Sequence, residues 1–287
     1  MRKLVFTIGL IISCLQAVVL NAQMALTLID PNEVSKAEPI DEVLFIVQYE
    51  AKMMMDTLKP ENIVDESMIL KVGTKSSSYY SYTRFVTDSI FAEQAKKSAG
   101  GPIRRQKSED HGIVTYQIYK NFPAGKVTTL DKIVMNRFRC EEENEVPSWQ
   151  LLTDTMTILS YSCQKAICYF KGRDYEAWFT TEIPRSEGPW KLHGLPGLIL
   201  KATDSQGHYS FECTGLINAN EELLFGADGY ENISRKNLNK IYERYATDPV
   251  GYISSTSPNI KIVLKDENGE NKSLKNMPYN PIERNNK

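Results

Sequence analysis

Histidine is scarce in this sequence, and the common motifs of metal, nucleotide and serine-hydrolase chemistry are missing. The chain of 287 residues has three histidines, His111, His193 and His208, and no two of them have the spacing of metal ligands. There is no HExxH, P-loop, GxGxxG or GxSxG motif. We therefore interpret each histidine as an ordinary hydrogen-bonded or exposed side chain, and we expect no cofactor and no metal.

A strong excess of one charge is also missing. Lys and Arg total 34 and Asp and Glu total 36. Loss of Arg2 and Lys3 with a signal peptide leaves 32 basic residues, and the net charge is then about −4. Such a chain lacks the basic surface by which proteins bind nucleic acid, so a nucleic-acid partner is not expected.

Long apolar runs are limited to the N-terminus. Arg2 and Lys3 precede the apolar stretch 4–20, and Ala22 offers a small residue for cleavage. This pattern predicts a secretory signal peptide over residues 1–22, with lipidation at Cys14 as the alternative. No later run reaches the roughly 20 apolar residues of a spanning helix. The mature chain is therefore expected to have no transmembrane helix.

Cysteine is limited to five residues, and four remain after the predicted cleavage: Cys140, Cys163, Cys168 and Cys213. In an oxidising compartment, four cysteines permit up to two disulfides in three connectivities. Cys163 and Cys168 are five positions apart in one predicted strand, which separates them by roughly 16 Å. A disulfide needs Cα atoms within roughly 7 Å, so these two are not expected to pair, and the connectivity stays open.

Alternation of apolar and polar residues is the dominant pattern and predicts a mainly β chain. The clearest case is a set of six apolar residues on alternate positions: Val43, Phe45, Val47, Tyr49, Ala51 and Met53. Further strands are predicted at 67–72, 77–83, 113–119, 127–135, 160–170, 175–181, 198–203, 208–216 and 259–265. A polar lead-in at 23–40 and a polar tail at 266–287 would flank one domain over 41–265.

Helical patterns are few. One helix is predicted at 88–98, and a second at 235–245 with Ser234 as its N-cap. Residues 217–230 are predicted to form a loop, and the acidic stretch 141–148 a solvated connection.

A tight hairpin is predicted between 160–170 and 175–181. If Gly172 and Arg173 are its two central residues, Phe170 faces Tyr175, and Trp178 lies on the opposite face. The first face is predicted to be wholly apolar, and it carries Ala166, Cys168, Phe170, Tyr175, Ala177 and Phe179. Such a face suits a curved sheet closing over a core.

The apolar word Gly194–Ile199 contains a second turn signal. Pro196 followed by Gly197 is the residue pair of a type II turn, in which glycine takes a positive φ. The turn would lead into the strand 198–203, with Leu198, Leu200 and Ala202 on one core face. We interpret this word as a corner and a set of core contacts, with a direct binding role as the alternative.

Several short words between Trp149 and Phe211 form a more specific pattern. They occur at 149–151, 161–166, 172–178, 181–184, 188–190 and 194–200, followed by Asp204, with weaker echoes at 76–81 and 279–283. This pattern resembles the GLPGLI family of secreted proteins of unknown function in Gram-negative bacteria. Cys140, Cys168 and Cys213 depart from it.

The resemblance implies a protein of the periplasm or the outer-membrane periphery, without an established activity. The order of elements is also similar to that of lipoprotein-carrier half-barrels, in which a curved antiparallel sheet wraps around a helix or an acyl chain. We therefore expect a mainly β half-barrel with one or two helices, with a β-sandwich as the alternative. The candidate binding residues are those of the matching words: Arg173, Trp178, Trp190, Gly194, Leu195, Pro196, Gly197, Leu198 and Asp204.

Three functions are compatible with these observations. The first is a non-enzymatic binding module for a hydrophobic ligand or an outer-membrane protein. The second is a structural accessory of a transport or surface-assembly complex, with Trp178, Trp190 and the corner as a docking patch. The third is a hydrolase that uses Glu176, Glu182, His193 or Asp204, or a glycosidase that also uses Glu187 beside the tryptophans. We favour the first and expect no catalytic residue.

Overall fold

The computed structural model describes residues 37–87, 113–256, 264–265, 271–272 and 276–284. Several predictions lie outside these residues, namely the signal peptide, most of the lead-in, the helix at 88–98, His111 and most of the strand at 259–265.

Fourteen strands form two sheets among the described residues. The strands are β1 (Glu38–Met54), β2 (Ile63–Gly73), β3 (Ser77–Ser81), β4 (Gln117–Lys120), β5 (Lys126–Ile133), β6 (Asn136–Glu143), β7 (Gln150–Ile158), β8 (Tyr161–Phe170), β9 (Arg173–Thr180), β10 (Leu198–Asp204), β11 (Tyr209–Phe225), β12 (Glu231–Asn232), β13 (Leu264–Lys265) and β14 (Asn271–Lys272). The last two pair only with each other in the described part of the chain, and the other twelve share one sheet.

The large sheet has the order β12-β6-β5-β4-β3-β2-β1-β11-β10-β9-β8-β7 and is antiparallel except where β12 joins β6. Residues 144–149 connect β6 to β7, which lie ten strand positions apart. A flat sheet would place them roughly 48 Å apart, whereas this connection spans at most about 25 Å. The sheet must therefore curve strongly, and the predicted curved antiparallel fold is confirmed. Among the described strands β7 pairs with β8 alone, so the sheet is open.

The two longest strands, β1 and β11, pair at the middle of this sheet. Every second residue of β1 from Val43 to Met53 is buried, as the alternation predicted, and the intervening Gln48, Glu50 and Lys52 are exposed. This burial pattern directs one face of the sheet onto the main core, because side chains alternate between faces along a strand.

Three helices accompany the sheet in the described residues: α1 (82–87), α2 (Arg235–Thr247) and α3 (Pro249–Thr256). Ser234 caps α2 as predicted, with its side chain accepting from the backbone N–H of Asn237. Helices α2 and α3 pack on β5 and β6 through a second apolar cluster that includes Phe138, Leu238 and Tyr252. None of the described helices combines the length and apolarity needed to cross a membrane.

Several predicted boundaries are wrong. Strand β1 begins at Glu38, inside the predicted lead-in, and β11 continues to Phe225 through the predicted loop at 217–230. Strands β6 and β7 and helix α3 were not predicted. Strand β4 begins at Gln117 rather than at 113. Residues 276–284 of the predicted polar tail dock against the sheet instead.

The hairpin between β8 and β9 has a different register from the predicted one. Its central residues are Lys171 and Gly172, both with positive φ (48° and 83°), so Phe170 pairs with Arg173 rather than with Tyr175. Because the shift is two positions, the six apolar residues keep their shared face and are buried. That face is not wholly apolar, since Arg173 lies on it and is buried too.

The four described cysteines are free thiols, and all are buried. The prediction that up to two disulfides form is therefore not realised. Burial raises the pKa of Cys168 to about 12 and that of Cys213 to about 11, and it also raises the pKa of Cys140 and Cys163. Thiols held in this way are poor nucleophiles, because the thiolate is the reactive form.

We expect native protein lacking residues 1–22 to react very slowly with Ellman's reagent. After unfolding in urea without reductant, all four described thiols should react. The measurement is the absorbance of released thionitrobenzoate. A count of two or none in the unfolded, unreduced protein would show disulfides and contradict the structure.

Candidate functional site

A cavity of about 190 Å³ lies between the curved sheet, helix α2 and residues 276–284. Its wall is formed by Met53, Met55, Ile113, Val114, Thr115, Tyr116, Ile118, Thr129, Asp131, Trp190, Lys191, Tyr209, Arg235, Asn239, Tyr242, Tyr279, Pro281, Ile282 and Glu283. Ile113 and Tyr279 are exposed and mark its mouth. The cavity is therefore reachable from solvent but lies mostly within the fold.

Most of the cavity wall is apolar or aromatic. Met53, Val114 and Ile118 belong to the main core, and all three are buried. Trp190 is buried with a φ of 52°, and its ring contacts those of Phe170 and Tyr175 at 5.9 and 6.1 Å. A left-handed backbone is strained for a tryptophan, and such outliers concentrate at ligand sites. An apolar wall of this kind attracts an apolar guest more than water.

One side of the cavity carries a ring of ion pairs. Lys191 contacts Glu142 and Glu283, each at 2.5 Å, and Arg235 contacts Glu142 at 2.8 Å and Glu283 at 3.7 Å. Burial disfavours the Glu142 carboxylate, but Lys191 and Arg235 outweigh burial and lower its pKa to about 2. Burial also disfavours the charge on Arg235, yet the two glutamates raise its pKa. The ring joins α2, β6, the loop after β9 and the C-terminal segment.

Asp131 of β5 is the remaining charged residue of the wall, and it is 1% exposed. Its carboxylate accepts hydrogen bonds from the Thr115 hydroxyl at 2.6 Å, the Lys132 backbone N–H at 2.7 Å and the Tyr242 hydroxyl. Burial raises its pKa above the ordinary value of 3.8, and these hydrogen bonds together with the charge of Arg235 only partly oppose the effect. The hydrogen bonds that hold this carboxylate at the cavity thus come from neutral donors, and Arg235 acts on it only through its charge.

Folding raises the pKa of Asp131 and lowers that of Glu142. The two residues should therefore affect the pH dependence of stability in opposite directions. Because the folded state raises the pKa of Asp131, its contribution is complete below pH 3.8 and is lost as the pH rises through the folded pKa. Relative to Asp131→Asn, the wild type should therefore lose stability on going from acid to neutral pH. The loss should be about 1.4 kcal/mol for every tenfold difference between the acid dissociation constants of the folded and unfolded states.

For Glu142 the sign is reversed. Its contribution is present above the ordinary value of 4.5 and is lost as the pH falls through about 2, so Glu142→Gln should cost least in acid. Urea unfolding of both variants and the wild type across a pH series checks the two signs. Parallel curves for the wild type and Asp131→Asn would contradict the assignment of Asp131.

Arg173 and Asp204, two of the predicted site residues, form a buried ion pair at 2.6 Å away from the cavity wall. Both side chains are 1% exposed. The Arg173 guanidinium also donates to the Pro281 carbonyl at 2.6 Å, the Asn280 side chain at 2.9 Å and the Ile282 carbonyl at 3.0 Å. Since its donors are consumed by the protein itself, Arg173 fastens residues 280–282 to the sheet.

The partners of this pair extend the same connection. Asp204 accepts from the Tyr209 backbone N–H at 2.9 Å, and the Tyr209 hydroxyl donates to the Asn280 carbonyl at 2.5 Å. The Asn280 amide donates to the Met54 carbonyl at 2.7 Å. His208 lies beside the Arg173 and Arg284 guanidinium groups, at 3.5 and 3.3 Å. These contacts position the C-terminal wall of the cavity.

The predicted type II turn at Leu195–Leu198 is wrong in its backbone, because the φ of Gly197 lies outside the left-handed region. The positive φ is at Gly194, with a value of 97°. Gly197 is required for a different reason: a Cβ there would lie 2.0 Å from the Thr180 carbonyl oxygen. At this word, the backbone at the start of β10 therefore passes close to the backbone at the end of β9.

The side chains of this word pack in the core, apart from the exposed Pro196. Leu195, Leu198 and Ile199 are buried, as is Leu200 directly after the word, all at 1% exposure or less. Leu198, Leu200 and Ala202 were predicted to share one face. A bulge between Ile199 and Lys201 interrupts that alternation. The Tyr49 hydroxyl donates to the Ile199 carbonyl at 2.7 Å.

The two predicted tryptophans lie in different environments. Trp190 is buried at the cavity, so it contributes no area to a surface docking patch. Trp178 is half-buried, and its indole N–H donates to Glu176 at 3.0 Å. The Lys165 ammonium lies 5.5 Å from the Trp178 ring centroid.

The three glutamates proposed for a hydrolase are each engaged elsewhere. Glu176 pairs with Lys165 at 2.7 Å, and Glu182 accepts from the Ser162 backbone N–H at 2.8 Å. Glu187 pairs with the buried Lys120 at 2.6 Å. No group of three or more His, Cys, Asp or Glu suited to a metal ion occurs among the residues the structure describes.

The residues at the cavity that sequence reasoning missed are Asp131, Tyr242, Arg235 and Glu283. Asp131 was hidden inside a predicted strand, where it shares its face with Val127, Thr129 and Ile133. A charged residue that shares a strand face with two β-branched apolar residues is buried only with partners, so this position was a usable signal. Glu283 belongs to the weak echo at 279–283, which lies within the predicted polar tail.

Parts of this chain are similar to known proteins. A family model described as "Protein of unknown function (Porph_ging)" matches residues 170–201. This stretch is similar to a family of unknown function. It contains Arg173, Trp190, Lys191 and the Gly194–Ile199 word, so it spans both the fastening of the C-terminal segment and part of the cavity wall.

No curated protein matches the chain. Two solved structures, titled "Structure of PNGF-II in P21 space group" and "Structure of PNGF-II in C2 space group", are similar in fold at 12% and 13% identity, with TM-scores of 0.46 and 0.45. Each match covers 69% of this chain and 32% of the other, so the chain spans about a third of the length of those structures.

Proposed function

We propose that this protein is a non-enzymatic binding protein that holds a small apolar molecule in the cavity beneath its curved sheet. The observation that carries the proposal is the cavity itself, with a volume of about 190 Å³ and mainly apolar and aromatic walls. An apolar cavity of about 150 Å³ is large enough to bind benzene. A cavity with few polar groups at defined positions is also typical of small-molecule sites.

The arrangement of the polar side chains favours binding over catalysis. Lys191, Arg235, Glu142 and Glu283 pair with one another. His193 is buried with its Nδ1 atom 3.0 Å from the Lys191 carbonyl, and burial together with the Lys120 charge lowers its pKa. A general base must reach a nucleophile by a hydrogen bond, and the Nε2 atom of His193 has no hydrogen-bond partner among the described residues.

The signal peptide predicted at residues 1–22 and the resemblance of the words at 149–211 to the GLPGLI family support export. We propose the periplasm or the outer-membrane periphery as the location. In that setting the ligand would be a small amphipathic or apolar molecule of the envelope.

A cavity-filling variant tests the proposal. Delipidated wild-type protein should bind toluene in calorimetry, and Val114→Trp should weaken binding at least tenfold, because the larger ring occupies the space of the ligand. Leu58→Trp introduces the same ring at a position that is 90% exposed, and it should bind as the wild type does. Absence of toluene binding by the wild type, or equal binding by Val114→Trp, would refute the proposal.

The accessory role has one observation in its favour. Seven of the nine residues of β7 are exposed, and its outer edge is unpaired in the described part of the chain. An exposed edge strand is a template for pairing with another chain. A pull-down from envelope extracts that returned one membrane protein, lost on Thr155→Pro, would favour this role. Recovery of the same protein with Thr155→Pro would argue against it.

A further inference from the structure

At the cavity, the described residues form more carboxylates than cations. Lys191 and Arg235 each contact both Glu142 and Glu283, so two cations are compensated by two carboxylates. Asp131 forms no salt bridge with any residue in the described ranges, although it lines the same cavity. Among the described residues no cation contacts this buried carboxylate, although the charge of Arg235 acts on it without a direct contact.

The Asp131 carboxylate still has acceptor capacity. Its Oδ1 atom accepts from Thr115 and from the Lys132 backbone, and its Oδ2 atom accepts from Tyr242. A carboxylate offers about four acceptor sites, so one position at Oδ2 has no donor among the described residues. A buried carboxylate is costly unless a cation pairs with it, and burial accordingly raises the pKa of this group.

Aromatic side chains surround the same space. Five of them line the cavity: Tyr116, Trp190, Tyr209, Tyr242 and Tyr279. The faces of tyrosine and tryptophan rings attract organic cations, most strongly where water is excluded. Thus the apolar walls, the ring faces and the unpaired carboxylate all favour one kind of guest.

We propose that the cavity binds an organic ammonium ion with an apolar body, its nitrogen on Asp131 and its body among the aromatic rings. This inference rests on the proposed function, because it names the class of ligand for the same cavity. The ammonium would donate to Oδ2 and neutralise the one carboxylate that the described residues leave unpaired at the cavity. A neutral ligand of the same shape would fill the cavity but leave that carboxylate without a cation.

Three probes with one skeleton test the charge of the ligand. We expect delipidated wild-type protein to bind 2-phenylethylammonium at least tenfold more tightly than 2-phenylethanol in calorimetry, with phenylacetate the weakest. Asp131→Asn should reduce the binding of the amine to the level of the alcohol and change the alcohol less than threefold. Asp154→Asn, an exposed change on β7, should bind all three as the wild type does.

The outcomes separate the two proposals. Equal binding of amine and alcohol by the wild type, or tightest binding of phenylacetate, overturns the ammonium assignment and leaves cavity binding intact. Absence of binding by all three probes overturns both. If Asp131→Asn does not fold, the order of the three wild-type affinities alone decides the assignment.

Discussion

Arg173→Ala is expected to destabilise the protein by about 3–5 kcal/mol, the usual cost of removing one partner from a buried ion pair. The change leaves the Asp204 carboxylate at 1% exposure without its cation. It also removes three hydrogen bonds to residues 280–282, and with them the attachment of the C-terminal wall of the cavity. The free energy of unfolding in urea measures the loss.

Arg244→Ala is the matched control, because Arg244 is exposed on α2 and its guanidinium donates to the Ser255 hydroxyl at 2.9 Å rather than to a buried carboxylate. Its cost should stay within about 1 kcal/mol. The double variant of Arg173 and Asp204 should lose less than the two single variants together, because each single change leaves one charge of the same pair without its partner. Equal losses for Arg173→Ala and Arg244→Ala would show that the pair does not fasten the C-terminal segment.

Gly197→Ala is expected to cost about 3 kcal/mol or more, at the upper end of overpacking changes. The added Cβ would lie 2.0 Å from the Thr180 carbonyl oxygen and 2.7 Å from its carbon. Those atoms belong to the backbone of β9, which pairs with β10 at Leu198, so they cannot move without disturbing the sheet. A side chain could turn away from the new methyl group, but a strand backbone cannot.

Gly215→Ala provides the comparison, since a Cβ at Gly215 meets nothing within 4 Å and its φ is not positive. That change should be neutral or stabilising by up to about 1 kcal/mol, because alanine reduces the freedom of the unfolded chain. Melting temperatures and urea midpoints of the two variants give the contrast. Similar stabilities for Gly197→Ala and Gly215→Ala would mean that the close approach to Thr180 is absent.

Local patterns predicted most of the sheet. The alternation from Val43 to Met53 identified β1 and its buried face. The Ser234 cap identified the start of α2. The hairpin after Phe170 was predicted, but its register was not. The turn needs a positive φ at Lys171, and nothing in the sequence marks a lysine for that conformation. Gly197 was recognised as special for the wrong reason, since the sequence does not reveal which backbone comes close to it.

The candidate site depended on contacts between distant parts of the chain, and these left little trace in the sequence. Asp131 is hydrogen-bonded by Tyr242, 111 positions away, and Arg173 reaches residues 280–282 across more than 100 positions. The C-terminal segment that Arg173 holds is polar, and its composition alone is that of a frayed terminus. Its burial follows only once the curved sheet brings β9, β11 and α2 around the same space.

The most direct test of the cavity is a crystal structure of the delipidated protein under xenon pressure. Xenon occupies dry apolar cavities of this size. We predict a xenon atom in this cavity, among Met53, Ile118 and Trp190 of its wall. A cavity filled by ordered water or by protein side chains, with no xenon in it, would contradict the account.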